Sequence, residues 1–390
     1  MILTINGGSS SIKFSLYSFE EPLEQLLIGG LENIGRKDAK LHFTDLRTHR
    51  QDSINMADGS REAAANFLLD WLQDQGYLVA LRAIGHRLVH GMQHTAPERI
   101  TPELLADLRK ISAYDPEHLP AEIKLIELCG ERCPDLLQIA CFDTAFHASM
   151  PDVAKLLPIP RRYLSMGIHR YGFHGLSYAW LLEELERTAG TAAAKGRIIL
   201  AHLGNGASLA AVKDGQSMDT SMGFTPTSGL PMGTRSGDLD PGVAWFLMQM
   251  EELDPQEFSH LINHESGLLG ISETSADVRE LLLEQGDDHR AAEAIELFCY
   301  QTKKWIGSFA AAMGGLDTLV FSGGIGENSG EIRSRICQGL EFLGITLDES
   351  KNVKNETFIS TGRVAIHVIR TNEEGMIAKL VSLALSERSS

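Results

Sequence analysis

Four short stretches of the sequence set arginine, histidine or aspartate between glycine or apolar neighbours, where a polar side chain is either satisfied by backbone or kept for chemistry. They are Gly85-His86-Arg87-Leu88-Val89-His90-Gly91, Cys141-Phe142-Asp143-Thr144-Ala145-Phe146-His147, Arg170-Tyr171-Gly172-Phe173-His174-Gly175 and Gly233-Thr234-Arg235-Ser236-Gly237-Asp238. Arginine is the informative type. It stays charged, its planar fork suits carboxylate or phosphoryl oxygens, and burying it unpaired is costly. Arg87 and Arg235 therefore point to an anionic ligand. The histidines lack metal-ligand spacing and Cys129-x3-Cys133 has no second pair, so no zinc site is expected and these cysteines read as helix-face packing residues.

Three glycine-rich stretches add to this: Asn6-Gly7-Gly8-Ser9-Ser10-Ser11, Gly204-Asn205-Gly206-Ala207-Ser208 and Ser322-Gly323-Gly324-Ile325-Gly326-Glu327-Asn328. Small residues let several backbone N–H groups approach one anion, and Lys13 supplies a nearby positive charge to the first. Any one of them alone is also what a tight hairpin needs. Three at strand ends favour phosphate binding. The P-loop pattern is absent, and the third glycine of the dinucleotide fingerprint is replaced by Leu209 in one stretch and Ser329 in another. His86-Arg87 is followed by Leu88 rather than the aspartate of a protein-kinase catalytic loop.

The elements that must hold these residues are legible from periodicity. Ile2 to Ile5 and Ile12 to Tyr17 predict two strands joined by the first glycine turn, and Ile198 to His202 with Leu209 to Val212 repeat the plan about half a chain later. Thr101-Pro102-Glu103 and Asp240-Pro241 open helices with a cap and a first-position proline, the second running through Val243, Trp245, Phe246 and Met250. The longest helix is predicted from about Arg290 to Met313, stopped by Gly314-Gly315, and is followed by a buried-type strand at Thr318 to Phe321. The Gly323 to Asn328 stretch then reads as a loop leading into a further helix. Ile366 to Arg370 reads as a strand and Thr371-Asn372-Glu373-Glu374 as a helix start capped by Asn372. A mixed α/β class with a buried sheet follows.

Composition bounds the rest. At 390 residues the chain exceeds the size at which single cores stop growing, so two domains are expected. With 35 Lys+Arg against 52 Asp+Glu the net charge is -17, which repels phosphate backbones and anionic lipid, so neither nucleic acid nor a membrane surface is an expected partner. Five sparse cysteines, the absence of an 18-residue apolar run and an N-terminus without a basic region predict a cytoplasmic protein.

Taken together, these stretches resemble the acetate kinase family, the acetate/propionate kinases of the actin, sugar kinase and chaperone ATPase superfold. The resemblance is carried by Asn6 to Lys13, His202 to Ser208, Asp219-Thr220-Ser221-Met222-Gly223-Phe224-Thr225-Pro226, Met232 to Asp238, Gly323 to Asn328 and Thr371 to Glu374. It implies two domains of similar ribonuclease H-like or actin-like core around an interdomain cleft. Residues 1–150, with 376–390 packing back, would form the N-terminal domain, and residues 151–375 the nucleotide-binding one. It implies ATP- and Mg²⁺-dependent phosphorylation of acetate or another short-chain carboxylate, with Mn²⁺ as an alternative metal and a homodimeric assembly.

The resemblance also implies roles. Asn6 and Glu373 match the magnesium-associated pair, with Asp143 near the metal and the transferring phosphate. Arg87 and Arg235 match the arginines on the carboxylate and phosphoryl group, and His174 the transition-state stabiliser. The nucleotide-binding stretches correspond to His202, Leu203, Gly204, Asn205 and Gly206, to Asp277, Val278 and Arg279, and to Gly324, Ile325, Gly326, Glu327 and Asn328. Ser9, Ser11 and Lys13 fall in the first phosphate turn, and Val89, Phe173 and Pro226 match the acyl pocket. Two departures stand out: Ala113-Tyr114-Asp115-Pro116 replaces the usual Leu-His-Asn-Pro, and Met92 replaces a usual glycine. The first predicts a wider acyl pocket and a propionate-accepting enzyme as the alternative. From another class, an actin-like ATPase module that clamps a protein would have no use for two carboxylate-directed arginines.

Overall fold

The computed structural model describes residues 1–8, 11–20, 22–112 and 114–386. The chain forms two compact units, Met1–Ala145 with Asn372–Ser390, and Phe146–Thr371. Ser9 and Ala113, which the sequence reading assigned to the phosphate turn and the acyl pocket, lie outside the described residues.

In the first unit the strands are β1 (Ile2–Gly7), β2 (Ile12–Tyr17), β3 (Gln25–Glu32), β4 (Lys40–Asp45), β5 (Arg50–Asn55), β6 (Ala83–Leu88), β7 (Glu98–Arg99) and β8 (Leu137–Phe142). They form one sheet in the order β5-β4-β3-β2-β1-β6-β8-β7. The predicted first hairpin is present, with Ile5 opposite Phe14 and Asn6 opposite Lys13. β6 lies parallel to β1, and β8 parallel to β6. Leu3, Ile5, Phe14, Leu16, Leu27 and Leu31 pack with Leu68, Leu69 and Leu72 of the helix Arg61–Asp74 and with Leu125 and Cys129 of the helix Leu119–Arg132. The edge strand β5 is nearly all exposed and carries the ion pair Arg50–Asp52, a charged edge of the kind that discourages pairing with another chain. The helix Glu373–Ser386 returns to pack on β1 and β6. Only a glycine permits this at position 85, since a Cβ there would meet Ile377 Cγ2 at 2.4 Å.

The second unit holds β9 (Arg197–Leu203), β10 (Ala207–Lys213), β11 (Gln216–Thr220), β12 (Thr318–Ser322) and β13 (Ala365–Val368), ordered β11-β10-β9-β12-β13. β9, β10 and β11 are antiparallel, and β12 and β13 run parallel to β9. β9, β10 and β12 are buried along almost their whole length, so they read as continuous apolar runs covered on both faces. Tyr178, Leu181 and Leu185 of the helix Gly175–Ala189 pack on Ile198, Leu200, Ala210 and Val212. The long helix His289–Met313 packs on the same two strands and ends on Gly314 in the left-handed conformation, φ 72°.

Thr101 accepts the Leu104 N–H and Asp240 the Gly242 N–H, as their cap positions require. One expectation is corrected. Gly323–Asn328 is itself a short helix starting directly on the end of β12, and a second helix, Gly330–Cys337, follows after Ser329. Gly323 makes this abrupt change possible with φ 76°, and a Cβ there would meet the Leu203 carbonyl oxygen at 2.5 Å. The helix Pro241–Met250 forms as predicted but leaves its apolar side chains in solvent: Trp245 is 68% and Met250 66% exposed.

Candidate active site

In the first unit the ends of three neighbouring strands bring the predicted residues together. Asn6 sits near the end of β1, Arg87 near the end of β6 and Asp143 directly after β8, the edge of an α/β sheet at which ligands bind. Arg87 Nε and Nη2 both donate to Asp143 Oδ2, at 3.1 and 2.6 Å, and Nη1 donates to Asn6 Oδ1 at 3.1 Å. Asn6 Nδ2 in turn donates to Glu373 Oε2 at 2.8 Å, and that oxygen lies 4.0 Å from Arg87 Nε. Asn372 caps the Glu373 helix by accepting the Gly375 N–H at 2.8 Å, which fixes where the carboxylate starts from. Burial opposes the Arg87 charge, yet Asp143 and Glu373 outweigh it and push the guanidinium above its ordinary value. Asp143 is fully buried and Arg87 keeps 14% of its side chain exposed, so the cation is the member of the pair with a face left toward solvent.

Other first-unit residues take up places around this network. Lys13 is exposed on β2 as the cross-strand neighbour of Asn6. Gly8 N–H donates to the Ser11 carbonyl at 2.8 Å, closing the described part of the turn. Val89 is buried directly beyond β6, and its N–H donates to Glu122. Met92 takes φ 51°, a left-handed backbone that explains why glycine suits this position better.

In the second unit His174, Arg235 and the β9–β10 turn converge. His174 adopts φ 59° ahead of the helix Gly175–Ala189, and its Nδ1 shares a hydrogen with Ser208 Oγ at 2.9 Å. Ser208 is the cross-strand partner of His202, whose ring lies against that of His174 with centroids 4.5 Å apart. A Cβ on Gly206 would stand 3.1 Å from His174 Nε2 and 3.8 Å from Arg235 Nη1, so the turn has glycine where imidazole and guanidinium approach it. Arg235 Nη1 donates to the Pro226 carbonyl at 3.2 Å, and Pro226 and Phe173 are both buried.

Beside this cluster is a cavity of about 820 Å³ lined by Gly204, Asn205, Gly233, Asp277, Val278, Arg279, Gly324, Ile325 and Asn328, with Leu282, Leu283 and Phe298 giving it an apolar side. Its size and its mixture of glycine backbone and apolar wall suit a small organic ligand such as a nucleotide. Asp277 caps the helix Val278–Glu284 and also holds the Arg279 guanidinium, which lowers the Asp277 carboxyl below its usual range. Glu327 is not among the residues lining the cavity. Its Oε1 accepts the N–H groups of Gly323 and Thr371, each at 3.0 Å, so it braces the start of the short helix. Ser177, which no motif singled out, bonds both His202 Nδ1 at 2.8 Å and Thr371 Oγ1 at 2.7 Å. Ser177, Leu282 and Leu283 lie outside every motif of the sequence because a single serine and helical leucines carry no signal of their own.

Among the described residues no helix is long and apolar enough to cross a membrane, and no group of three or more His, Cys, Asp and Glu side chains could hold a metal on its own. All five cysteines are free, and burial pushes the Cys129, Cys141 and Cys299 thiols up to about 12.

The profile described as the Acetokinase family matches residues 1–379. The chain belongs to the acetokinase family. An acetate kinase from Rhodopseudomonas palustris is 43% identical over 390 residues, covering 98% of this chain and 97% of its own length. A propionate kinase from Citrobacter rodentium is likewise 43% identical over 398 residues, covering 99% and 97%. The crystal structure of a propionate kinase from Francisella tularensis superimposes with a TM-score of 0.91 at 39% identity, covering 97% of this chain and 98% of that one. The mixed sheets flanked by helices are thus the acetokinase architecture of the actin-like superfold.

Proposed function

We propose that this protein is an acetate kinase that passes the γ-phosphoryl group of ATP directly and in line to acetate, giving acetyl phosphate and ADP, and that it runs readily in reverse. The observation that carries this reading is the gathering of His174 Nε2 and Arg235 around Gly206, beside a glycine-floored cavity of nucleotide size. Acetate is ionised at neutral pH, so the acceptor needs no strong base. Catalysis then rests on alignment and on donors for the charge that spreads over the equatorial oxygens. Arg235 and His174 supply such donors, and Ser208 on Nδ1 orients the imidazole so that Nε2 faces the reacting group. Arg87 holds the carboxylate. Asp143 keeps two guanidinium nitrogens on one oxygen, a geometry that favours an orienting role over an acid/base one.

Magnesium fits the donor set of the first unit. Glu373 offers a carboxylate that lies 2.8 Å from Asn6 Nδ2, the same amide offers its Oδ1, which here accepts from Arg87, and Mg²⁺ takes one or two such hard oxygen ligands together with waters and phosphates. When bound it would neutralise charge on the transferring phosphates. Manganese satisfies the same ligands. The exposed apolar face of Pro241–Met250 supports a homodimer, since a patch holding Val243, Trp245, Phe246 and Met250 is unusual on a lone subunit. Free thiols and acidic charge support a cytoplasmic setting.

A second reading, a propionate kinase, is favoured by Ala113 in place of leucine, because removing three methylenes at ~0.8 kcal/mol each widens the room for a longer acyl chain. ATP-dependent acyl-hydroxamate formation across acetate, propionate, butyrate and glycerol tests both. Turnover of acetate or propionate, lost in Arg235→Ala, is expected. Inactivity with every carboxylate sinks the kinase reading, and strong preference for acetate sinks the wider pocket.

A further inference from the structure

Glu122 is a buried acid that the proposed chemistry does not use. It lies in the first turn of the helix Leu119–Arg132, is 4% exposed, and its Oε2 accepts the Val89 N–H at 3.1 Å. Its Oε1 is buried without a hydrogen-bond partner among the described residues, and so is Oδ2 of Asp115, itself 3% exposed. Four charged groups face it: Arg87 on β6, Asp115 in the preceding loop, Asp143 beyond β8 and Arg61 on the helix Arg61–Asp74.

Two neighbouring buried carboxylates with bare oxygens do not both ionise readily. Asp115 has a donor for its charge, the His118 ring nitrogen at 2.9 Å from Oδ1. Arg87 is already matched by Asp143 at 2.6 Å. Glu122 has only an amide N–H on one of two buried oxygens, so its charge is poorly compensated and it keeps its proton. Burial pushes its carboxyl up to about 8, the Arg87 charge opposing this and the Asp115 charge adding to it.

We propose that Glu122 is the positioning residue of the acyl site, a neutral carboxylic acid that pins the Val89 amide and so fixes the segment carrying Arg87. The proposal rests on Arg87 and Val89 being the carboxylate and acyl contacts. An ionised Glu122 places a negative charge beside the guanidinium that the substrate carboxylate needs, and carboxylate affinity falls.

The test measures the carboxylate KM of the full chain and of Glu122→Gln, which keeps the acceptor for Val89 and cannot ionise. Between about pH 7 and about pH 9 the wild-type KM is expected to rise roughly tenfold with kcat moving less, while the Gln variant rises by under about twofold. Parallel rises in both overturn the proposal. Glu122→Leu, which removes the acceptor, is expected to raise the carboxylate KM roughly tenfold at neutral pH and the ATP KM by under about twofold. A wild-type carboxylate KM in that variant also overturns it. Thermal unfolding supplies an arm independent of turnover. The folded wild type holds a proton that the unfolded chain releases above its ordinary carboxyl pKa, so its stability declines from about pH 5 to about pH 8 and the advantage of Glu122→Gln grows over that window. A constant difference overturns the neutral state of Glu122 even if no carboxylate is turned over, an outcome that would defeat only the functional reading.

Discussion

The two units share a five-strand plan and use it for opposite ends. In one, β3-β2-β1-β6-β8 has an antiparallel hairpin edge followed by two parallel strands. In the other, β11-β10-β9-β12-β13 repeats that order and sense. The penultimate pair of each first hairpin is polar, Asn6 with Lys13 in one and His202 with Ser208 in the other. Beyond it they diverge. The first unit fills its strand ends with Arg87 and Asp143, whose charges neutralise each other at 2.6 Å. The second puts Gly204 and Gly324 at the same edge, and the cavity opens there. Side-chain size at a few strand-end positions therefore decides whether one scaffold holds a charged network or a ligand cavity.

Arginine removal separates the two halves most strongly. Arg87→Ala and Arg235→Ala are each expected to lower kcat/KM by about 10²–10³, the first by losing the cation that holds the carboxylate and the second by losing a donor to developing charge. Their stabilities should differ. Without Arg87 the buried Asp143 loses its counter-charge, at about 3–5 kcal/mol, whereas Arg235→Ala loses a bond to the Pro226 carbonyl and costs about 1 kcal/mol. Denaturant unfolding of both variants checks this, and equal losses would break the contrast.

Acid should act on the two units alike. Burial lowers His86 in the first unit and His147 in the second to about 4. Each stays neutral in the folded chain while the unfolded chain takes up a proton, so stability is lost as pH falls from about 6.5 to about 4, by roughly 2–3 kcal/mol for each histidine. Calorimetry across that range should find His86→Asn and His147→Asn each flattening the slope by a similar amount. A slope that ignores one of them would show that the parallel fails.

The hairpin glycines offer a finer comparison. A Cβ on Gly206 meets His174 Nε2 at 3.1 Å, while one on Gly7 meets Leu125 Cδ2 at an ordinary 3.6 Å. Gly206→Ala is expected to reduce kcat/KM by about tenfold through displacement of the imidazole, and Gly7→Ala by under about twofold. Steady-state kinetics of the pair decides it.

Local chemistry explains which parts were legible before the fold was known. The caps at Thr101 and Asp240, the stop at Gly314 and the two hairpins depend on residues within a few positions, and all are present. Gly323–Asn328 was misread as a loop because glycine disfavours helix locally, while the bonds of Glu327 to Gly323 and Thr371 come from packing 44 residues apart in the latter case. The apolar stripe of Pro241–Met250 similarly gave the helix but not its exposure.

Residue type alone determined that this protein handles an anion: arginine is always charged, glycine lets backbone approach, and an acidic chain must concentrate its cations. Which cation meets which partner was decided only by tertiary structure, because Arg87, Asp143 and Glu373 are brought together from three separate elements by parallel strand pairing and a returning helix. The same is true of Glu122, an acid without any motif around it in the sequence, which becomes a buried, protonated contact of Val89 only in the folded chain.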